Sequence, residues 1–357
     1  MPDLFSPLTL REVTFRNRIG VSPMCLYSCE AHDGLPTDWH LAHYGARAIG
    51  GAGMVMLEST AVTPEGRITL EDLGIWDEYQ IEPLARLARL LTENGAVPAI
   101  QIAHAGRRAG TTQPWKGDRP LTEAEGAWQP IAPSPLPFGE GYLTPEPMTY
   151  AQIDAARAAF VAAAQRAAAA GYLLLEIHAA HGYLIHNFLS PLSNHRQDRY
   201  GGSFENRIRF LLEIVRDVRA AWPADKPLAV RLSCIDWAEG GWTLEESIAL
   251  SKHLRDLGVD LIDCSSGGAV LYETIPTHFG FQLPFADAIR HQAKVATAAV
   301  GDITDPERAQ TLIAAEQADL ALLGREMLRD PHWPLRAART LGIDPRSLMP
   351  PQYSWAL

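Results

Sequence analysis

Gly171-Tyr172-Leu173-Leu174-Leu175-Glu176-Ile177-His178-Ala179-Ala180-His181-Gly182-Tyr183 decides how this chain folds. The stretch before it, Ala151 to Ala170, is rich in alanine and contains no Gly or Pro, so its propensity favours one continuous helix. Gly171 stops that helix, and the apolar run Leu173 to Ile177 then reads as a short buried strand. The same grammar recurs at Gly50-Gly51-Ala52-Gly53 before Met54 to Leu57, at Gly95 before Val97 to Ile102, and at Gly258 before Val259 to Ile262. Helix starts match: Thr149-x-x-Gln152, Thr243-x-x-Glu246 and Thr304-x-x-Glu307 have the composition of capping boxes.

Four further strands, Arg18 to Val21, Leu228 to Leu232, Lys294 to Val300 and Leu320 to Leu323, bring the total to eight. Eight strands alternating with helices predict an α/β fold, a TIM (β/α)8 barrel. An open dinucleotide-binding sheet also alternates, but it requires G-x-G-x-x-G between a strand and a helix, and the chain has none. Leu8 to Leu10 and Val13 to Phe15, separated by Arg11-Glu12, predict a short N-terminal hairpin closing the barrel's bottom. From about Gly106 to Met148 a long stretch rich in Pro, Gly and Trp follows the third strand. Loops of that length in compact domains are usually lids or binding loops. No linker interrupts the rest, so the expectation is a single domain over 1–357.

Of the 357 residues 47% are hydrophobic and 20% charged, and the formal charge is −11. That charge, with no compensating basic run, argues against a nucleic-acid partner. No apolar stretch approaches the roughly 18 residues of a membrane span. The start Met1-Pro2-Asp3-Leu4 lacks the pattern of a secretory signal, so a cytoplasmic location is expected. Cys25, Cys29, Cys234 and Cys264 are spaced for neither a zinc site nor a disulfide framework and read as reduced thiols.

In a barrel, residues leaving the C-terminal ends of strands share one mouth. His178, His181 and Tyr183 follow the fourth strand, and two imidazoles can hold a carbonyl oxygen while a phenol supplies a proton. The plainer reading, polar groups satisfied at a strand end, suits a lone His better than this trio. H-x-x-H could also give two metal ligands, but no third ligand or activating Glu accompanies it in H-E-x-x-H fashion. Gly301 and Gly324-Arg325 follow strands seven and eight, where barrels commonly hold a phosphate; singly, each glycine is as well explained by a tight turn. Gln101 and Arg231 place a carboxamide and a buried cation in the mouth. Arg231 would stabilise charge on a reduced isoalloxazine or simply pair with Asp236 or Asp263.

Taken together, these residues resemble the Old Yellow Enzyme family, and its bacterial subclass of xenobiotic reductases with a cysteine beside the flavin. The resemblance runs through Asn17-Arg18, Ser22-Pro23-Met24-Cys25-x-Tyr27, Gln101-x-x-His104-x-Gly106-Arg107, His178 to Tyr183, Phe188-Leu189-Ser190-Pro191, Tyr200-Gly201-Gly202-Ser203, Asn206-Arg207, and Gly324-Arg325 with Asp330-Pro331. It implies non-covalent FMN. Ser22, Pro23, Met24, Cys25 and Ser59 would lie along the ring, Gln101 and Arg231 at its pyrimidine end, and Gly301, Gly324 and Arg325 at the phosphate.

It also implies an ene-reductase working by a ping-pong mechanism, with NAD(P)H, NADPH favoured, as reductant and an electron-poor alkene, an α,β-unsaturated carbonyl or nitro compound, as substrate. His178 and His181 would bind the substrate's oxygen, Tyr183 would protonate carbon, Tyr27 would donate a further hydrogen bond, and Cys25 would tune the flavin. A homodimer or homotetramer is implied, with the tail from about 340 at a subunit interface. Two positions depart from the subclass: Arg108 stands where Lys is common, and Trp355 where an Arg reaches a neighbouring subunit. The rival readings are a non-catalytic flavin-binding sensor barrel and a metal-dependent TIM-barrel hydrolase. A cluster-bearing relative is disfavoured, because an iron–sulfur cluster needs about four suitably spaced cysteines.

Overall fold

The computed structural model describes residues 2–356. Strands β1 (Leu8–Leu10) and β2 (Val13–Phe15) pair antiparallel. Then follow β3 (Ile19–Val21), β4 (Met54–Ala61) and β5 (Val97–Ala103), the small outlying pair β6 (Ile131–Ala132) and β7 (Glu146–Pro147), and β8 (Leu174–Ala179), β9 (Leu228–Ser233), β10 (Leu261–Ser265), β11 (Ala296–Ala299) and β12 (Leu320–Leu323). Strands β3, β4, β5 and β8 to β12 form a closed parallel barrel in chain order, with β12 bonded back to β3. Around it run α1 (Asp38–Ile49), α2 (Ile81–Glu93), α3 (Tyr150–Ala169), α4 (Leu184–Leu189), α5 (Phe204–Ala221), α6 (Leu244–Asp256), α7 (Leu283–Ala293), α8 (Pro306–Ala314), α9 (Arg325–Arg329) and α10 (Trp333–Thr340).

Successive strand residues face opposite sides of a sheet, and the two sides here pack into separate cores. Val55, Leu57, Ile100, Ile102, Leu175 and Ile177 join the helices in the outer core. Met54, Met56, Ala99, Leu174, Ala229 and Leu261 fill the interior, where Val13 and Phe15 of the hairpin join them. The hairpin is therefore a plug at the N-terminal end, as its sequence predicted. Full burial of Phe15 contributes about 1.5–3 kcal/mol relative to exposure.

The helix caps show which sequence signals held. At α3 the Thr149 side chain accepts from the Gln152 amide, and Gln152 Oε1 accepts from the Thr149 amide at 2.8 Å. Thr243 and Glu246 close the same box on α6. The third expectation fails: α8 is capped by Asp305, whose Oδ1 accepts from the Arg308 amide at 2.8 Å, so Thr304 lies one residue outside. Asp is as good a cap as Thr, and Pro306 at the first helical position fixes the start one residue later.

Strand limits also shift. The seventh barrel strand does not include Lys294, which ends α7 in a left-handed conformation (φ 58°). The second runs four residues further than its apolar stretch, through Glu58, Ser59, Thr60 and Ala61. Residues 106–148 hold short helical turns and the β6–β7 pair rather than irregular chain alone. No helix among the described residues is long and apolar enough to cross a membrane. Trp355 is 83% exposed on the single chain.

Candidate active site

The C-terminal ends of the strands surround a cavity of about 540 Å³, and every site residue nominated from sequence lines it: Ser22, Pro23, Met24, Cys25, Tyr27, Ser59, Gln101, His178, His181, Tyr183, Arg231, Gly301, Gly324 and Arg325. A shift in register between Leu57 and Ser59 turns Ser59 to the cavity beside its partner Gln101 and leaves Glu58 buried on the other side. There Glu58 accepts from the Leu26 amide at 2.6 Å and from the Tyr44 hydroxyl at 3.0 Å, with His40 Nε2 3.4 Å away. That carboxylate anchors the segment carrying Cys25 and Tyr27.

The turn after β8 is held from several directions. The Ala180 amide donates to His178 Nδ1 at 3.2 Å, which leaves Nε2 of the neutral ring as its N–H donor. His181 has φ 58°; its amide donates to Ser233 Oγ at 2.9 Å, and its Nε2 lies 2.7 Å from Ser265 Oγ. The His178 ring meets those of His181 and Tyr183 edge-on, with centroids 5.2 and 4.9 Å apart. Beneath them the Gly182 amide donates to His186 Nδ1 at 2.8 Å, and His186 Nε2 lies 2.9 Å from Asp236 Oδ1. Gly182 is required here: it has φ 73°, and a Cβ would sit 2.0 Å from the Gly268 carbonyl oxygen.

Arg108 draws the long loop onto this turn. Its Nη1 donates to the His181 carbonyl at 2.7 Å, and its guanidinium lies 4.3 Å from the Phe138 ring centroid and 5.2 Å from that of Tyr183. An ammonium could make the first contact but could not stack as a plane. Tyr27 packs edge-on to Trp115 of the same loop at 6.0 Å.

Protonation states follow from burial. Burial pushes His178 and His181 well below the usual imidazole range, and Arg231 adds to the effect, so both rings are neutral. Burial raises the Tyr183 phenol against the opposing pull of Arg108, and raises Tyr27 further. Cys25 is likewise raised by burial, with Asp72 and Glu58 adding, which makes it a thiol rather than a thiolate. The site thus offers neutral hydrogen-bond donors and held protons. Among the described residues no three His, Cys, Asp or Glu side chains gather to hold a metal ion.

Of the two partners considered for Arg231, the structure selects Asp263: Nε lies 3.0 Å from its Oδ2, although without hydrogen-bonding alignment. Arg231 Nη2 donates to Ser22 Oγ at 3.3 Å. At the opposite side, Arg325 is exposed and forms no salt bridge among the described residues. A buried guanidinium with an unsatisfied N–H, and a second guanidinium without a carboxylate beside two glycines, suit a ligand with an electron-rich ring and an anionic tail. FMN fits that description. Ser265, Ser266, Gln282 and Phe281 also line the cavity. Sequence reading missed them: Ser265 ends β10, beyond the apolar run that marked the strand, and the other three lie on the chain between β10 and α7, whose return to the mouth no spacing rule announces.

Fold and site together define a flavin-type TIM barrel. The sequence pattern of the family described as NADH:flavin oxidoreductase / NADH oxidase matches residues 3–343. The chain is 48% identical over 339 residues to an NADPH dehydrogenase of Geobacillus sp. (strain WCH70), covering 95% of this chain and 94% of the relative. The Old Yellow Enzyme homologue of Zymomonas mobilis superposes with a TM-score of 0.81 at 26% identity, covering 99% of each chain. A 2-naphthoyl-CoA reductase superposes at 0.84 and 26% identity over 97% of this chain, which spans about half, 53%, of that longer one. The chain belongs to the NADH:flavin oxidoreductase family, the Old Yellow Enzyme group. It is an NAD(P)H-dependent flavin oxidoreductase.

Proposed function

We propose that this chain is a single-domain ene-reductase of the cysteine-bearing bacterial subclass, which takes FMN as cofactor and NADPH as preferred reductant and reduces activated C=C bonds of α,β-unsaturated carbonyl or nitro compounds. The observation that carries this reading is the convergence of two neutral histidines and a protonated tyrosine on one cavity that also holds Arg231 and Arg325. FMN bound there would relay hydride from the nicotinamide to the alkene. Ser22, Pro23, Met24, Cys25 and Ser59 would border its ring, Gln101 and Arg231 would hold its pyrimidine end, and Gly301, Gly324 and Arg325 its phosphate.

The chain's own groups account for the rest. His178 Nε2–H and a His181 N–H donate to the substrate's oxygen, which draws electrons from the β-carbon and fixes the alkene's orientation. Tyr183 then gives its phenolic proton to the α-carbon, and Tyr27 adds a hydrogen bond from the Cys25 side. Arg108, although not among the catalytic residues, sets the Tyr183 ring and the His181 carbonyl in place. The subclass assignment and the exposed Trp355 support a homodimer or homotetramer in which the tail meets a second copy.

The test is a visible spectrum of the purified protein, recorded before and after anaerobic NADPH and then cyclohexenone. Flavin bands should bleach with NADPH and return with the enone. A colourless protein that cannot be reconstituted with FMN overturns the cofactor, and bleaching that the enone does not reverse overturns the substrate class.

A further inference from the structure

The inward alternation of the strands places three charged groups in the barrel interior. Glu176 lies two residues beyond the interior Leu174, Arg231 two beyond Ala229, and Asp263 two beyond Leu261. Glu176 and Asp263 are fully buried and Arg231 is 6% exposed. Glu176 Oε1 accepts from Gln101 Nε2 at 2.9 Å, whereas its Oε2 has no partner, and neither oxygen of Asp263 accepts a hydrogen bond. His178 follows Glu176 on the same face and is neutral. The inward positions of β3, β4, β11 and β12 contribute Gly20, Met56, Ala298 and Leu322, none of them titratable. Two buried carboxylates thus face the barrel interior with one guanidinium, and that guanidinium lies against Asp263, 3.0 Å from its Oδ2, while Glu176 has only the Gln101 carboxamide.

Such a group cannot carry both negative charges cheaply. With Arg231 engaged by Asp263, ionising Glu176 as well leaves an uncompensated buried charge. We propose that Glu176 is a positioning residue that carries a proton against Gln101, a residue that would hold the cofactor, and that it takes up a proton from solvent when the flavin is reduced in alkaline solution. The second half rests on the FMN reading above. Burial, with the Asp263 charge adding and Arg231 and Gln101 opposing, raises the Glu176 carboxyl to about 8. Below that pH it is already protonated before reduction. Above it, the negative charge a reduced flavin gains at the pyrimidine end, beside Arg231, favours recapture of the proton. The hydride would bring the flavin two electrons and one proton, and one further proton from solvent would go to the Glu176 carboxylate.

Two readouts separate this proposal from the cofactor assignment. In the protein without flavin, the infrared spectrum should show the carbonyl stretch of a buried carboxylic acid at neutral pH. That band should be lost in E176Q, and in D263N its titration should move to lower pH because the like charge is removed. In the FMN-loaded protein, the number of protons taken up per two electrons, read from the pH slope of the flavin midpoint potential, should double above about pH 8. In E176Q it should keep its lower value throughout. A band that survives E176Q places the proton elsewhere and overturns the proposal, as does a slope that E176Q leaves unchanged. Failure to bind FMN overturns the cofactor reading and the redox half with it, while the infrared band still decides whether Glu176 holds the proton.

Discussion

Burial holds Tyr183 as a phenol and His178 and His181 as neutral imidazoles, so the three groups keep one protonation state across the pH range in which most enzymes work. Tyr183→Phe keeps the ring that Arg108 and His178 pack against and removes the hydroxyl that carries the proton. The oxidative half-reaction with an enone should slow by about 10²–10⁴-fold, the range for loss of a general acid, while flavin reduction by NADPH should be unchanged. Stopped-flow measurement of each half-reaction checks this, and equal slowing of both would remove Tyr183 from the proton-donor role. The chemistry of these residues was legible because strand position and residue type coincide. Glu176 was not: one carboxylate inside an apolar run carries no sign of which face it takes until the register with Gln101 is known.

At the scale of elements, glycine stops located four of the eight barrel strands and apolar runs the other four, since a helix end and a buried apolar run are both local signals. What they could not give was the strand ends. Glu58-Ser59-Thr60 is polar and lies beyond the apolar run, yet the Glu58 carboxylate is met by Tyr44, His40 and the Leu26 amide, none of them neighbours in sequence. The turn between β8 and α4 shows the same dependence on distant chain. Gly182→Ala places a Cβ against Gly268 and in a conformation that disfavours side chains. It should destabilise the protein by about 2–4 kcal/mol in urea unfolding and displace both histidines. A stability loss below about 0.5 kcal/mol would show that the Gly182–Gly268 approach relaxes without cost.

For the whole molecule, buried histidines shape acid stability. Burial lowers His43 to about 3 and His104 to about 4. In the unfolded chain a histidine takes its proton near 6.5. As pH falls below that value, the unfolded state binds protons that the folded state refuses, so stability is greatest above about 6.5 and declines toward 4. Thermal unfolding should show a falling Tm through that window, and His104→Gln should flatten part of it. An identical pH profile in the variant would place the acid sensitivity in other groups.

The hairpin that fills the bottom of the barrel has a kinetic side. Phe15 and the interior residues around it leave no passage through the strands, so the cavity is a cul-de-sac. With the proposed chemistry, reductant and alkene queue at one doorway, and each molecule that lingers there obstructs its successor. An excess of alkene therefore acts as a competitor of the nicotinamide, and turnover passes through an optimum concentration instead of rising to a plateau.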